Sequence, residues 1–156
     1  VAARSSLQPS RDASDYAFTH RLRTRFAETD AMGVIHHAAY LPYLEEARVE
    51  YLKAVGHPYD EVRTGDGAEG ERGEGGRDFP VLEASLQYRR PLHFDEAVEV
   101  SLLMGAVTGT TFQIAYLLTV DGETRATAVT VHGCTDRTGR PARLPAWVRE
   151  EFGART

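Results

Sequence analysis

Cysteine is almost missing from this chain: Cys134 stands alone among 156 residues. One thiol excludes an intramolecular disulfide and any cysteine-rich metal centre, and it fits a reducing compartment. Long apolar runs are missing as well. No stretch approaches the roughly 20 residues that span a bilayer as a helix. Basic excess is missing too: 18 Lys and Arg face 23 Asp and Glu, for a net charge of −5. Nucleic acid is therefore not the default partner, since its electrostatic footprint is a basic surface. The opening VAARSSLQPSRDASDYA lacks the apolar centre of a secretory signal. Residues 1–17 are expected to form a polar, mobile tail, and the chain to be soluble and cytoplasmic. What remains is an ordinary globular composition, 42% hydrophobic and 26% charged, long enough to bury one core without staples. A single domain over residues 18–153 is expected.

Periodicity supplies the elements. Phe18 to Phe26 alternates Phe18, His20, Leu22, Thr24 and Phe26 against Thr19, Arg21, Arg23 and Arg25, which predicts a half-buried strand. After a loop, Tyr40, Leu44, Ala47, Tyr51 and Val55 recur at helical spacing, with Leu41 and Leu52 widening the stripe. Pro42 belongs in a helix's first turn, so the helix should start between Ala38 and Leu41 and stop at Gly56. HPYDEV adds a short turn. Residues 65–76, GDGAEGERGEGG, are half glycine and otherwise mostly charged; a flexible loop is expected there. No lysine-serine signature follows, so the loop is not read as a phosphate cradle.

From Phe79 onward strand follows strand. Leu82, Ala84, Leu86 and Tyr88 alternate up to Pro91; Val98, Val100, Leu102 and Met104 form the next; Phe112 to Val120 is the strongest alternation. Asp121-Gly122 is a hairpin signal, Thr124 to Cys134 a last strand, and PAWVREEF a terminal helix. One strand, one long helix and four consecutive strands predict an α+β architecture. A curved five-stranded antiparallel sheet should wrap around the central helix.

Chemistry concentrates between Phe26 and Tyr40, FAETDAMGVIHHAAY. Asp30 lies on an irregular loop just ahead of the helix, whose first-turn N–H groups lack internal partners and carry partial positive charge. A carboxylate facing such donors suits attack on an electrophilic carbonyl, with the oxyanion held by amides. Gly33 is expected to supply a backbone angle closed to other residues. A zinc site from Asp30, His36 and His37 is a competing reading. Adjacent histidines point differently and no third well-spaced ligand follows, so neither metal nor cofactor is expected.

The stretch ETDAMGVIHHAAYLPYLEEARVEYL resembles the signature of hot-dog-fold acyl-CoA thioesterases, in particular the 4-hydroxybenzoyl-CoA thioesterase family and its YbgC-like branch. The likeness extends through FPVLEASLQYRRPLHFDEAVEV and covers roughly residues 18–135. It implies that Asp30 is the catalytic carboxylate, nucleophile or general base, and that the His37 backbone N–H polarises the thioester carbonyl, with that of Ala38 as a helper. His36 is expected to line the substrate pocket or the dimer seam, and Tyr40 the pocket. It further implies homodimers joined sheet edge to edge, and commonly tetramers. Ala39 stands where the family has asparagine, and residues 65–76 lengthen a family connection. Coenzyme A carries phosphates, for which Arg89, Arg90 and Arg137 are candidate contacts. Glu46 and Arg48 are expected to pair and brace helix to sheet. Glu28, two residues from Asp30, is a solvated acid or a repelling neighbour that raises one pKa. Thr110 and Thr111 are candidate hydroxyls. The function implied is hydrolysis of an acyl-CoA or acyl carrier protein thioester. A non-catalytic acyl-CoA-binding domain and an acyl-thioester hydratase or dehydratase are the alternatives.

Overall fold

A computed structural model describes residues 4–65 and 75–153. Most of the glycine-rich loop expected at 65–76 lies outside the described residues. Strands β1 (Phe18–Arg23), β2 (Val81–Tyr88), β3 (Ala97–Gly105), β4 (Phe112–Val120) and β5 (Glu123–His132) form one sheet in the order β1-β3-β4-β5-β2, with every neighbouring pair antiparallel. Helix α1 (Tyr40–Ala54) packs on one face, and α2 (Tyr59–Thr64) and α3 (Ala146–Phe152) complete the element order. The α+β sheet with one long helix against it is the architecture expected. No helix among the described residues is long and apolar enough to cross a membrane.

The core forms where the two periodicities meet. Val98, Val100, Leu102 and Met104 of β3 and Phe112, Ile114, Tyr116 and Leu118 of β4 turn one face towards Leu44, Ala47, Tyr51 and Leu52 of α1. Alternation in the strands and the three-and-four spacing of the helix bury one side of each. Gly56, with φ +88°, stops α1. Helix α3 closes the far end: Trp147 stacks on His57 at 3.8 Å, and Phe152 packs edge-on to Tyr51.

Several expectations are corrected. Strand β1 stops at Arg23, because buried Thr24 turns inward, donating to the His93 carbonyl at 2.6 Å and accepting from the Glu96 N–H at 2.9 Å. Phe26 is left 74% exposed in a short 3-10 turn. Within α1, Leu41 is exposed while Tyr43 is buried. The helix contacts mainly β1 and β3, and this placement selects the Tyr43 side of the stripe. The same placement leaves β2, at the edge of the sheet, largely exposed. Strand β2, expected to be half-buried, is open on both faces, with only Glu83 and Leu86 partly buried. A bulge between Val81 and Glu83 shifts its register. Thr110 and Thr111 belong to the turn before β4, where Thr111 Oγ1 bonds Thr108 Oγ1 at 2.8 Å.

The convex face is covered as well. Ala115, Leu117, Val129 and Val131 point away from α1 yet are buried. The segment Arg4–Pro9 crosses there, in the stretch expected to be a tail. The Gln113 side chain accepts from the Ser6 N–H at 2.9 Å and donates to the Arg4 carbonyl at 3.0 Å, while the Ser5 N–H bonds Glu83.

Candidate active site

Strand β1 delivers the chain to a 3-10 turn, Phe26–Glu28, and then to a tight loop. Bridges Thr29–Ile35 and Val34–His93 close the loop against the strand connection before β3. At its tip Gly33 has φ +79°, and a Cβ added there would meet nothing within 4 Å. Glycine is required by backbone angle rather than by space. Gly33→Ala is therefore expected to cost about 1–2 kcal/mol from left-handed strain alone. Urea unfolding midpoints of the two proteins check this.

The loop holds Asp30 firmly at one oxygen. Oδ1 accepts from the Met32 N–H at 2.8 Å and from the Val34 N–H at 3.3 Å, while the Asp30 N–H donates to the Val34 carbonyl at 2.8 Å. Oδ2 makes no hydrogen bond among the described residues. The carboxylate is thus oriented at one oxygen and open at the other.

The approach to α1 is a further 3-10 turn, His37–Ala39. His36 caps it: its Nδ1 accepts from the Ala38 N–H at 3.0 Å, which leaves the ring proton on Nε2. The rings of His36 and His37 stack at 4.2 Å, and the His37 carbonyl accepts from the Tyr88 hydroxyl at 2.9 Å. The Ala38 amide, one of two expected to hold an oxyanion, is thus engaged. The His37 N–H has no partner among the described residues.

Asp30, His37, Tyr40, Tyr88, Arg89 and Arg90 line one cleft of about 280 Å³, with Met32, Val34, Ile35 and Pro91. Tyr40 is buried, meets Tyr88 edge-on at 4.9 Å, and accepts from the Leu92 N–H. Burial raises its pKa. Arg89 donates to Gln87 at 2.6 Å and Arg90 to Glu123 at 3.1 Å. Gly33, His36 and Ala38 sit behind the lining in the loop and turn that shape it. Arg137 is not brought to the cleft. It lies beside Gly76, in the turn that follows β5, next to the start of β2 rather than its Tyr88 end. Sequence reasoning missed Tyr88 as a cleft residue; its one available signal was a tyrosine beside Arg89-Arg90 at the end of an alternating run.

Glu28 is neither freely solvated nor in conflict with Asp30. Oε1 accepts from the Tyr43 hydroxyl at 2.6 Å and from the Arg25 N–H at 2.8 Å, and Oε2 faces the Arg25 guanidinium. Burial favours the neutral acid, but these donors outweigh it and hold the carboxyl below its ordinary value of 4.5. A depressed folded pKa stabilises above the unfolded value and is lost as pH falls through the folded one. Melting temperature should therefore drop on acidification below about 4.5, and part of that slope should vanish in Glu28→Gln.

The pairing expected between Glu46 and Arg48 is corrected. Buried Arg48 ion-pairs with Glu45, whereas Glu46 reaches His20 at 2.8 Å. Residues 45 and 48 share a helix face, while 46 and 48 do not.

A half-open carboxylate and an amide without a partner among the described residues thus share one cleft at the entry to the central helix. Residues 24–152 match the thioesterase-like superfamily, and the chain belongs to it. It is 30% identical over 124 residues to the 1,4-dihydroxy-2-naphthoyl-CoA hydrolase of Nostoc punctiforme, covering 80% of this chain and 78% of that one. A shorter match, 44% over 41 residues, is to the acyl-CoA thioesterase YbgC of Haemophilus influenzae, covering 26% of this chain and 30% of that one. Among solved structures, a hypothetical protein of Aquifex aeolicus superposes with a TM-score of 0.76 at 33% identity, over 86% of this chain and 98% of that one.

Proposed function

We propose that this chain hydrolyses an acyl-CoA or acyl carrier protein thioester to the free acid and thiol. The observation that carries the reading is the shared cleft of Asp30 and His37, with Oδ2 of the one and the N–H of the other unpaired among the described residues. A thioester carbonyl placed there meets an oriented carboxylate on one side and a helix-entry amide on the other. In one route Asp30 Oδ2 attacks the carbonyl carbon, the C–S bond breaks to expel thiolate, and water opens the resulting anhydride. In the other the carboxylate takes a proton from water as that water attacks. Either way the oxyanion gathers against the His37 N–H and the dipole of α1. Arg89 and Arg90, at the mouth, suit the phosphates of coenzyme A. The acyl-CoA substrates named for the Nostoc and Haemophilus relatives support the same substrate class.

A homodimer belongs to this reading. Among the described residues strand β2 pairs only with β5, which leaves its other edge without a strand partner there, and Val81, Leu82 and Tyr88 are about half exposed. An open apolar edge of this kind is a template for a second copy, and pairs of dimers give tetramers. Sedimentation velocity at micromolar protein tests the assembly, and a monomer there overturns it. The cytoplasm is the compartment proposed, where the lone buried Cys134 stays a thiol.

Thiol release from acetyl-, octanoyl-, palmitoyl-, benzoyl- and hydroxybenzoyl-CoA tests the activity. Turnover of any member supports it. Tight acyl-CoA binding without turnover replaces it with the acyl-CoA-binding reading, and water addition to an enoyl thioester would replace it with the hydratase one.

A further inference from the structure

Helix α1 starts without a side-chain cap of its own. Ala39 stands at the N-cap and has no oxygen to offer the first amides. Two other contacts hold the turn that leads in. His36 Nδ1 accepts from the Ala38 N–H at 3.0 Å, from within the turn. The Tyr88 hydroxyl donates to the His37 carbonyl at 2.9 Å, from strand β2 and 51 residues away in sequence. Both act on one peptide unit, because the His37 carbonyl and the Ala38 N–H belong to the same plane. That unit is rigid, so pinning it at both ends limits the rotation about His37 that would swing the residue's own N–H.

Tyr88 is itself held against the loop that carries the carboxylate. Its ring meets Tyr40 edge-on at 4.9 Å. The Tyr40 hydroxyl accepts from the Leu92 N–H at 3.3 Å, and the Leu92 carbonyl accepts from the Ile35 N–H at 2.8 Å. Ile35 follows Val34, whose carbonyl takes the Asp30 N–H at 2.8 Å. The contacts run from the Asp30 loop through Leu92, Tyr40 and Tyr88 to the His37 turn, and so close a frame around the cleft. A phenol has one proton to donate, and Tyr88 commits it to a backbone carbonyl. Its effect on the chemistry therefore passes through His37.

We propose that Tyr88 is a positioning residue for the hydrolysis: through the His37 carbonyl, its hydroxyl aims the His37 N–H at the thioester oxygen. The proposal rests on the reading of the Asp30 cleft as a thioester hydrolase. A donor that drifts off line costs most in the transition state, where the oxygen carries most charge, and little in the bound substrate. Loss of the hydroxyl should therefore be felt in kcat rather than in KM.

The test uses the full chain and whichever acyl-CoA of the series from acetyl to hydroxybenzoyl it turns over fastest. Tyr88→Phe should lower kcat about 10-fold and leave KM within about twofold. Tyr88→Leu, which also loses the edge contact with Tyr40, should lower kcat about 100-fold. Since Tyr88 is half exposed, the sedimentation coefficient of Tyr88→Phe should equal the parent's. Raman difference spectra of the same thioester bound to Asp30→Asn give a readout that packing alone does not move. The bound carbonyl stretch should lie below its solution frequency, because an aligned donor draws charge onto the oxygen. Adding Tyr88→Phe should return it towards the solution value. An unchanged kcat in Tyr88→Phe overturns the proposal and leaves the hydrolase reading standing. So does a loss confined to KM, which makes Tyr88 a substrate contact, or a carbonyl stretch indifferent to the hydroxyl. A changed sedimentation coefficient in Tyr88→Phe makes the residue structural and also overturns it. No turnover of any thioester by the parent overturns both readings.

Discussion

Asp30→Asn is expected to lower kcat for thioester hydrolysis by at least ~100-fold, the scale of losing a positioned base or nucleophile. The substitution is well placed to isolate the charge. The amide oxygen can keep the bonds that Oδ1 accepts from Met32 and Val34, so the loop and its Gly33 turn are retained. The new NH₂ replaces Oδ2, which has no protein partner among the described residues to lose. Melting temperature should accordingly stay within about 2 °C of the parent. A variant that is equally stable and equally active would remove the carboxylate from the mechanism. Single-turnover hydrolysis in heavy-oxygen water divides the two routes. Attack by Asp30 lets the label enter the Asp30 carboxylate when water opens the anhydride there, whereas base catalysis places it only in the released acid.

Much of this site is local, which is why it was legible in the sequence. Asp30, Gly33 and His37 lie within eight residues, and an acid, a glycine and a helix start in that order define a loop that turns into a helix. The strands were legible because Phe112 to Val120 repeats every two residues, and the central helix because Leu44, Ala47 and Tyr51 repeat every three or four. What escaped depends on contacts distant in sequence. Leu41 and Tyr43 both adjoin the apolar stripe, and only the seating of α1 over β1 and β3 decides which is buried. The alternation in β2 is real, yet most of its side chains stay exposed, so the pattern there does not report a core. Residues 4–9 read as a tail because they are polar, but their backbone groups find Gln113 more than a hundred residues away. Arg137 reads as a phosphate contact by charge; the hairpin geometry after β5 sets it near the start of β2. Glu45 was the one miss that spacing alone would have corrected.

Arg48→Ala is expected to be the most destabilising polar substitution in the chain, costing about 2–4 kcal/mol. The Arg48 side chain is only 4% exposed. Its guanidinium bonds Glu45, reaches the Phe79 carbonyl at 3.4 Å, and lies over the Tyr59 ring at 5.6 Å. Truncation leaves a cavity beneath α1 and strips a buried carbonyl of its charged donor. The neighbouring His132 supplies an independent readout. It is fully buried, bonded to Thr130 at 2.7 Å, and pushed down to about 3, first by burial and then by the positive charge of Arg48. Removing that charge should raise the His132 pKa, which histidine NMR would follow across acidic pH. Glu45→Gln should cost less, about 1 kcal/mol, because the carboxylate is half exposed and solvent screens the pair. Glu46→Gln should stay within about 0.5 kcal/mol, since its partner is His20 at the surface of β1. Arg48→Met separates packing from charge. If it recovers most of the loss, the stem and its volume hold α1 to the sheet. If it is as costly as alanine, the hydrogen bonds to Glu45 and Phe79 do. A larger loss in Glu46→Gln than in Glu45→Gln would contradict the pairing and with it this account of how α1 is anchored.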